Sequence, residues 1–298
     1  ARKGVTSQTK RHASIGSLMG IKKAIIAINK IDLVDYSQDV FETIKSSFQD
    51  IQDQLNYDEV TFIPVSALVG DNIVEKSSKI PWYNGETLLY QLENISIESD
   101  KKLPARFQVQ WVIRPKYEAH HDYRGYAGQI LSGTYHVGES VVVYPANIES
   151  KIVKIERHLE EVQQAEAGEN VVVHLEHNID ISRGDTIVKI SEEPQRSNEL
   201  KAWICWLDNN AIQQGKTYVL QHRFHSVRAK IKRIVQQWDI NNFEFIPSDE
   251  IKLNDIGQIE LKTNQPLFFD SFKENIKTGN AILIDETTKN TVAALMFY

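Results

Sequence analysis

The sequence predicts an α/β domain followed by two all-β barrels. Three observations predict it. Over residues 1–95, short unbroken apolar runs alternate with stretches of helical period. From about residue 103 the period changes to two. From there on, glycines and polar breaks separate short apolar strands at close intervals.

In chain order, Thr6 is placed to cap a helix whose apolar positions Ile15, Leu18 and Met19 fall at helical spacing, and Gly20 suits its end. Ala24-Ile25-Ile26-Ala27-Ile28 is apolar without alternation, as expected of a parallel strand covered on both faces. From 37 to about 57, Val40, Phe41, Ile44, Phe48, Ile51 and Leu55 recur at three- and four-residue intervals and predict the strongest amphipathic helix of the chain. A second buried strand is expected at 60–65 and a short helix at 85–92. Strand and helix in alternation is the rhythm of a doubly wound sheet.

Around 94–102 the pattern dissolves into Ser, Glu, Asp and Lys, which reads as a linker. Beyond it Phe107, Val109 and Trp111 are expected on one face of a strand, with Gln108 and Gln110 on the other. Gly133, Gly138, Gly168 and Gly184 separate strands expected at 140–144, 151–155 and 171–175. A second polar break at 191–198 contains Pro194, and strands are expected after it at 200–207, 217–235, 257–261 and 281–284. The division is therefore 1–95, 103–190 and 195–298, the last two as β-barrels.

Composition narrows the function. A chain of 298 residues, 41% hydrophobic and 25% charged, is long enough for two or three globular domains. No stretch approaches the roughly 18 apolar residues of a membrane span. A net charge of −6 does not favour a phosphate-binding surface, so neither nucleic acid nor membrane is the expected partner. Cys205 is the single cysteine, so no internal disulfide can form and a cytoplasmic location is expected. The start, Ala1-Arg2-Lys3-Gly4, is polar and lacks Met, and reads as the middle of a longer chain.

Two short motifs carry chemistry. Asn29-Lys30-Ile31-Asp32 follows the first strand directly, at the carboxyl end where open α/β sheets bind ligands. A carboxylate there can accept two parallel hydrogen bonds from a flat edge offering a ring N–H and an amine, which guanine has and adenine lacks. Each such bond is worth roughly 1.5–3 kcal/mol. Ser66-Ala67-Leu68 closes the second strand. Alone, the first motif is also a polar turn and the second a helix start; together, at successive strand ends, they indicate a guanine site. A phosphate cradle of the form G-x-x-x-x-G-K-[ST] is missing from the chain. Gly215-Lys216-Thr217 imitates its end, but Asn210 stands where the first glycine belongs and the context is a turn between strands.

The opening residues, with Gln8-Thr9-Lys10-Arg11-His12, resemble the segment after the fourth strand of elongation-factor-like GTPase domains. Further motifs extend the resemblance: Gln108-Val109-Gln110, Arg114-Pro115, Asp122 through Gly128, Ser132-Gly133, Asp180 through Asp185, Asp239 through Asn242, and Leu253 through Gly257. Together they resemble the GTPase subunit of the two-subunit bacterial sulfate adenylyltransferase. The resemblance implies the C-terminal part of a doubly wound P-loop GTPase domain followed by two β-barrels. It also implies that Asn29 ties the loops together, that the stem of Lys30 covers a face of the base and that Asp32 reads its edge. Ser66, Ala67 and Leu68 form the second contact, through the Ala67 N–H. The implied cofactor is GTP, with Mg2+ in the full-length protein, and the implied partner is the catalytic adenylyl-transferring subunit. GTP hydrolysis would be coupled to conversion of ATP and sulfate to adenylyl sulfate and pyrophosphate. The longer stretch 116–121 and Ala293-Ala294-Leu295 depart from the family pattern. Nothing follows Tyr298, so the adenylyl-sulfate kinase domain fused in some relatives is expected to be absent. An elongation-factor-type GTPase is the alternative reading, and a docking fragment inert toward nucleotide is the third.

The barrels offer no expected catalytic residue and no expected metal site. His120 and His121 are adjacent, and His222 and His225 three apart, spacings that split each pair across a strand. Arg124, held by Asp122, reads as a turn residue or a partner contact. Arg223, Arg228, Lys230, Lys232 and Arg233 read as a solvated sheet face, Trp203 and Trp206 as opposite faces of one strand, and Trp111 as core.

Overall fold

The computed structural model describes residues 1–96, 100–115, 123–240 and 242–298. The chain divides into two compact units, residues 1–98 with 239–244 and residues 99–238 with 245–298. His120, His121, Asp122, the stretch 116–121 and Asn241, all singled out above, lie outside the described residues.

In the first unit α1 spans Ser7–Leu18. Thr6 and Thr9 form a reciprocal capping box at its start, and Gly20 takes a left-handed φ of 76° just beyond its end. Strand β1 (Lys23–Asn29) pairs in parallel with β2 (Glu59–Val65), in register from Lys23 opposite Glu59 to Asn29 opposite Val65. Helix α2 (Gln38–Gln52) is capped by Ser37 and buries Phe41, Phe48 and Ile51. These side chains share a core with Ile28, Ile31, Leu55, Phe62 and Ile80. The short α3 (Leu88–Asn94) starts at a Thr87 cap, three residues later than expected. β1 departs from the expectation of a strand covered on both faces. Ala24, Ile25 and Ile26 are half-buried and Ala27 is exposed, because the sheet has two strands and β1 has a neighbour on one side only.

The second unit holds both barrels. In the first are β3 (Arg106–Ile113), β4 (Gly125–Ser132), β5 (Thr134–His136), β6 (Ser140–Tyr144), β7 (Ile148–Arg157), β8 (Glu160–Val162), β9 (Gln164–Glu166), β10 (Asn170–Leu175) and β11 (Thr186–Lys189). The order β10-β4-β3-β11-β6-β7 closes on itself through β7 and β10; β8 lies beside β7, and β5 pairs with β9. In the second are β12 (Gln195–Trp206), β13 (Thr217–His222), β14 (His225–Asp239), β15 (Glu244–Ile246), β16 (Ile256–Phe269), β17 (Asn280–Ile284) and β18 (Thr291–Phe297). Here β13-β17-β18-β12-β16-β14 closes through β13 and β14, with β15 beside β14. Closure satisfies the edge strands that an open sheet would leave unpaired. Each barrel encloses its own core, one around Phe107, Tyr126 and Tyr135, the other around Trp206, Tyr218 and Phe297.

The seam between the barrels is polar and buried. Arg106 donates to Asp270 through Nε (2.9 Å) and Nη2 (2.7 Å), and its Nη1 reaches the carbonyls of Ala105 and Glu192. Asn275 donates to Ser132 Oγ at 2.8 Å, and Tyr144 stacks on Phe268 with centroids 4.3 Å apart.

Four expectations change. Trp111 is 68% exposed rather than core, because a bulge between Val109 and Trp111 turns it outward. The expected strand 217–235 is two strands joined at Arg223-Phe224. That hairpin sets His222 directly opposite His225 instead of splitting them, and His222 is buried, donating Nε2 to the Thr278 carbonyl at 2.8 Å. Residues 195–198 of the expected break are already strand. Elsewhere Arg228, Lys232 and Arg233 pair with Glu286, Glu199 and Glu260 on an exposed face, while Arg223 is half-buried. Arg124 donates to the Ile179 carbonyl at 2.9 Å. Trp206 is core and Trp203 packs on the other face against Trp238 and Phe245.

Candidate functional site

The parallel register stops at Asn29 opposite Val65, so the loops leaving β1 and β2 begin side by side. Asn29 Oδ1 accepts the backbone N–H of Lys30 at 2.7 Å and that of Ala67 at 3.1 Å, joining the two loops through one amide. Lys30 then takes a left-handed conformation (φ 63°, ψ 38°), which turns the chain into a single 3-10 turn, Ile31–Val34. Ile31 is fully buried and anchors that turn in the core, and Asp32 beside it is half-buried on the first turn. The Asp32 carboxylate has no hydrogen bond or ion pair among the described residues. An acceptor-only group left free at a strand mouth suits a ligand with two adjacent donors.

Ser66 is fully buried, and its N–H donates to the Asp71 carbonyl at 3.1 Å. The turn between them closes with Gly70 N–H to Ser66 O at 2.7 Å, at a glycine φ of 93°. Leu68 projects at the tip, 91% exposed. Asn29, Lys30, Asp32, Ser66, Ala67 and Leu68 thus gather at one end of the sheet. The Ala67 N–H already donates to Asn29, so a base oxygen would have to share it or take it over.

Sequence reasoning passed over the residues that surround this corner. The Tyr36 hydroxyl donates to Asp71 Oδ2 at 3.0 Å, Ser77 Oγ donates to Asp71 Oδ1 at 2.7 Å, and Lys79 Nζ donates to the Tyr36 hydroxyl at 3.2 Å. Trp82 Nε1 donates to the Tyr36 carbonyl at 2.9 Å. The available signal was position: Tyr36 follows the first motif by four residues and Asp71 the second by three. The hydrogen bond that Lys79 donates to Tyr36, then the charge of Asp71, then that of Asp32 among smaller contributions, raise the pKa of the Lys79 ammonium.

The decoy at 215–217 is accounted for. Lys216 pairs with Asp285 at 2.7 Å, and that bond, with the N–H groups of Thr287 and Thr288, holds the Asp285 carboxyl well below the usual range. Thr217 opens β13. Among the described residues no group of three or more His, Cys, Asp or Glu is placed to hold a metal, and no helix is long and apolar enough to cross a membrane.

Residues 1–105 match the family described as "Elongation factor Tu GTP binding domain", and residues 199–297 match "GTP-eEF1A C-terminal domain-like". Among solved structures, sup35 bound to GMPPNP covers 97% of this chain and 72% of its own at a TM-score of 0.60 and 21% identity. Translation elongation factor SelB of Methanococcus maripaludis gives a TM-score of 0.55 at 18% identity, over 99% of this chain and 62% of its own. These two show the fold. The chain has the fold of the elongation-factor-Tu-like GTPases, an α/β unit followed by two barrels.

Within that class it is a homologue of sulfate adenylyltransferase subunit 1. It is 42% identical over 298 residues to the protein of that name from Buchnera aphidicola subsp. Acyrthosiphon pisum (strain Tuc7), covering 99% of this chain and 62% of the relative. The protein of the same name from Colwellia psychrerythraea is 38% identical, with 99% and 63% covered. "Bifunctional enzyme CysN/CysC" of Mycobacterium tuberculosis (strain CDC 1551 / Oshkosh) is 40% identical, with 99% and 49% covered. The chain therefore spans about three fifths of the length of the first two relatives.

Proposed function

We propose that this chain is the guanine-reading end and the two barrels of a GTP-binding regulatory subunit of sulfate adenylyltransferase. What carries the reading is that likeness to subunit 1 proteins runs through 99% of the chain, both barrels included, and not through the nucleotide corner alone. In the complete protein GTP hydrolysis is coupled to ATP and sulfate giving adenylyl sulfate and pyrophosphate. The phosphate–sulfate anhydride is strongly uphill, which is the physical reason to consume a second nucleotide. Adenylyl transfer belongs to a separate catalytic subunit, the partner, in the cytoplasm. This subunit supplies a two-state element that responds to the γ-phosphate. The organisation that serves this is 1–95, 103–190 and 195–298.

The residues present fit the base. Asp32 offers two free acceptors to the ring N–H and exocyclic amine of guanine, Asn29 keeps the loops together, and the Lys30 stem covers a ring face. Ser66, Ala67 and Leu68 supply the second loop. Mg2+ and the phosphates are held by the remainder of the GTP-binding domain, since no cradle sequence occurs in these 298 residues.

In the complete protein, Asp32→Asn exchanges an acceptor for a donor and moves preference from guanine to xanthine nucleotides. Competition binding checks it, and an unchanged preference for GTP means that Asp32 does not read the base. Residues 1–298 alone lack most of the electrostatic attraction for a triphosphate, so calorimetry is expected to show GTP binding weaker than micromolar. The GTPase of the complete protein is expected to respond to the adenylyl-transferring subunit and not to ribosomes.

A further inference from the structure

We propose that Tyr36 and Asp71 form a latch between the two loops of the guanine corner, and that this latch sets how sharply Asp32 discriminates guanine. The inference rests on the reading of Asp32 given above. Lys30, Asp35 and Tyr36 have φ values of 63°, 52° and 54°, so three non-glycine residues around Asp32 sit in the left-handed region. Aspartate tolerates that region through its short polar side chain, but tyrosine has no such relief, and each such residue costs about 1–2 kcal/mol. Successive residues of this kind persist only where the surroundings hold them.

Tyr36 is held at three points. Its N–H donates to the carbonyl of Ile31, the residue before Asp32, at 3.0 Å. Its carbonyl accepts from Trp82, and its hydroxyl donates to Asp71 while accepting from Lys79. Asp71 belongs to the other loop, where its carbonyl receives the Ser66 N–H at 3.1 Å and its second carboxylate oxygen receives Ser77. The Lys79 ammonium lies 3.8 Å from Asp71. A closed circuit results: Asp32 and Ile31 to Tyr36, Tyr36 to Asp71, Asp71 to Ser66, Ala67 to Asn29, and back along the chain. The Asn29–Ala67 bond fixes the loops where they start, and the Tyr36–Asp71 bond fixes them where they end. Without the second tie the 3-10 turn bearing Asp32 is free to relax its left-handed residues, and the carboxylate loses its aim.

A tie that is only structural weakens all purine nucleotides alike, whereas one that aims Asp32 acts on the guanine-specific contact. Inosine diphosphate, which lacks the exocyclic amine, separates the two. In the protein carrying its complete GTP-binding domain, Tyr36→Phe removes one hydroxyl and keeps the ring. It is expected to accelerate GDP release about tenfold, or ~1.4 kcal/mol, and to lower the GDP:IDP affinity ratio. Asp71→Asn retains an acceptor for the phenol and is expected to fall between wild type and Tyr36→Phe. The double variant is expected to be no worse than Tyr36→Phe alone. Equal losses for GDP and IDP, or none in either variant, overturn the latch while the Asp32 reading stands. A wild type that binds GDP and IDP equally overturns both.

Discussion

Glu156, on β7, receives three donors at once: the Tyr123 hydroxyl at 2.6 Å, the Lys154 ammonium at 2.7 Å and His174 Nε2 at 3.1 Å. Burial pushes its carboxyl up, but the hydrogen bonds from Lys154, Tyr123 and His174 outweigh burial and hold it at about 2, against an ordinary value of 4.5. Tyr123 moves the other way, pushed up to about 12 by burial and then by its bond to Glu156, so it remains a donor through neutral pH. A carboxyl depressed in the folded state contributes stability that is fully present above its unfolded pKa and is lost as pH falls through the folded one. Between pH of about 4.5 and about 2 the wild-type Tm is therefore expected to fall more steeply than that of Glu156→Gln. Parallel melting curves across that window would remove the cluster from the acid stability of the barrel. None of this was legible in the sequence, where Tyr123 precedes Glu156 by 33 residues and His174 follows it by 18. Asp32 was singled out for the opposite reason. The role proposed for it rests on residues next to it in the chain, a strand before and an asparagine three positions back. Tyr36 shares that neighbourhood and was missed, because nothing in its own identity foretells a left-handed backbone or a carboxylate across the sheet.

Elements were read well wherever period and punctuation agree. β6 falls at the expected residues, and Thr6 and Gly20 do the capping and stopping expected of them. Trp111 was misread because a bulge inserts one residue into the alternation, and a bulge leaves no mark in the pattern of apolar residues. The barrel seam was silent for a different reason: Arg106 and Asp270 are 164 residues apart, and each is an ordinary charged residue within its own strand or loop. Their side chains are 3% and 9% exposed, so removing one partner leaves a buried, uncompensated charge. Arg106→Met is expected to destabilise the two-barrel unit by about 3–5 kcal/mol in urea denaturation. Arg106→Met with Asp270→Leu is expected to recover most of that loss, because no charge is then stranded. A double variant as unstable as the single one would mean that the bonds to Ala105 and Glu192 matter more than the ion pair.

At the scale of the whole molecule the two units differ in how their sheets end. The barrel unit has two sheets closed on themselves, with strands β3 and β12 hydrogen-bonded on both sides. The α/β unit has a two-stranded sheet, and three central residues of β1 are half-buried with a fourth exposed. Two strands gain stability only from what packs on them, and here that is the one core built on Phe41, Phe48 and Ile51 of α2. Backbone hydrogen bonds near solvent, with little apolar cover, open at low free energy. The 298-residue chain is therefore expected to unfold in two calorimetric steps, the α/β unit first. Hydrogen exchange at a temperature between the steps is expected to label residues 1–96 and spare the barrel strands. Below the first step the amides of β1 should already exchange faster than those of β3 and β12. A single transition in which β1 is protected as long as β12 would overturn this expectation.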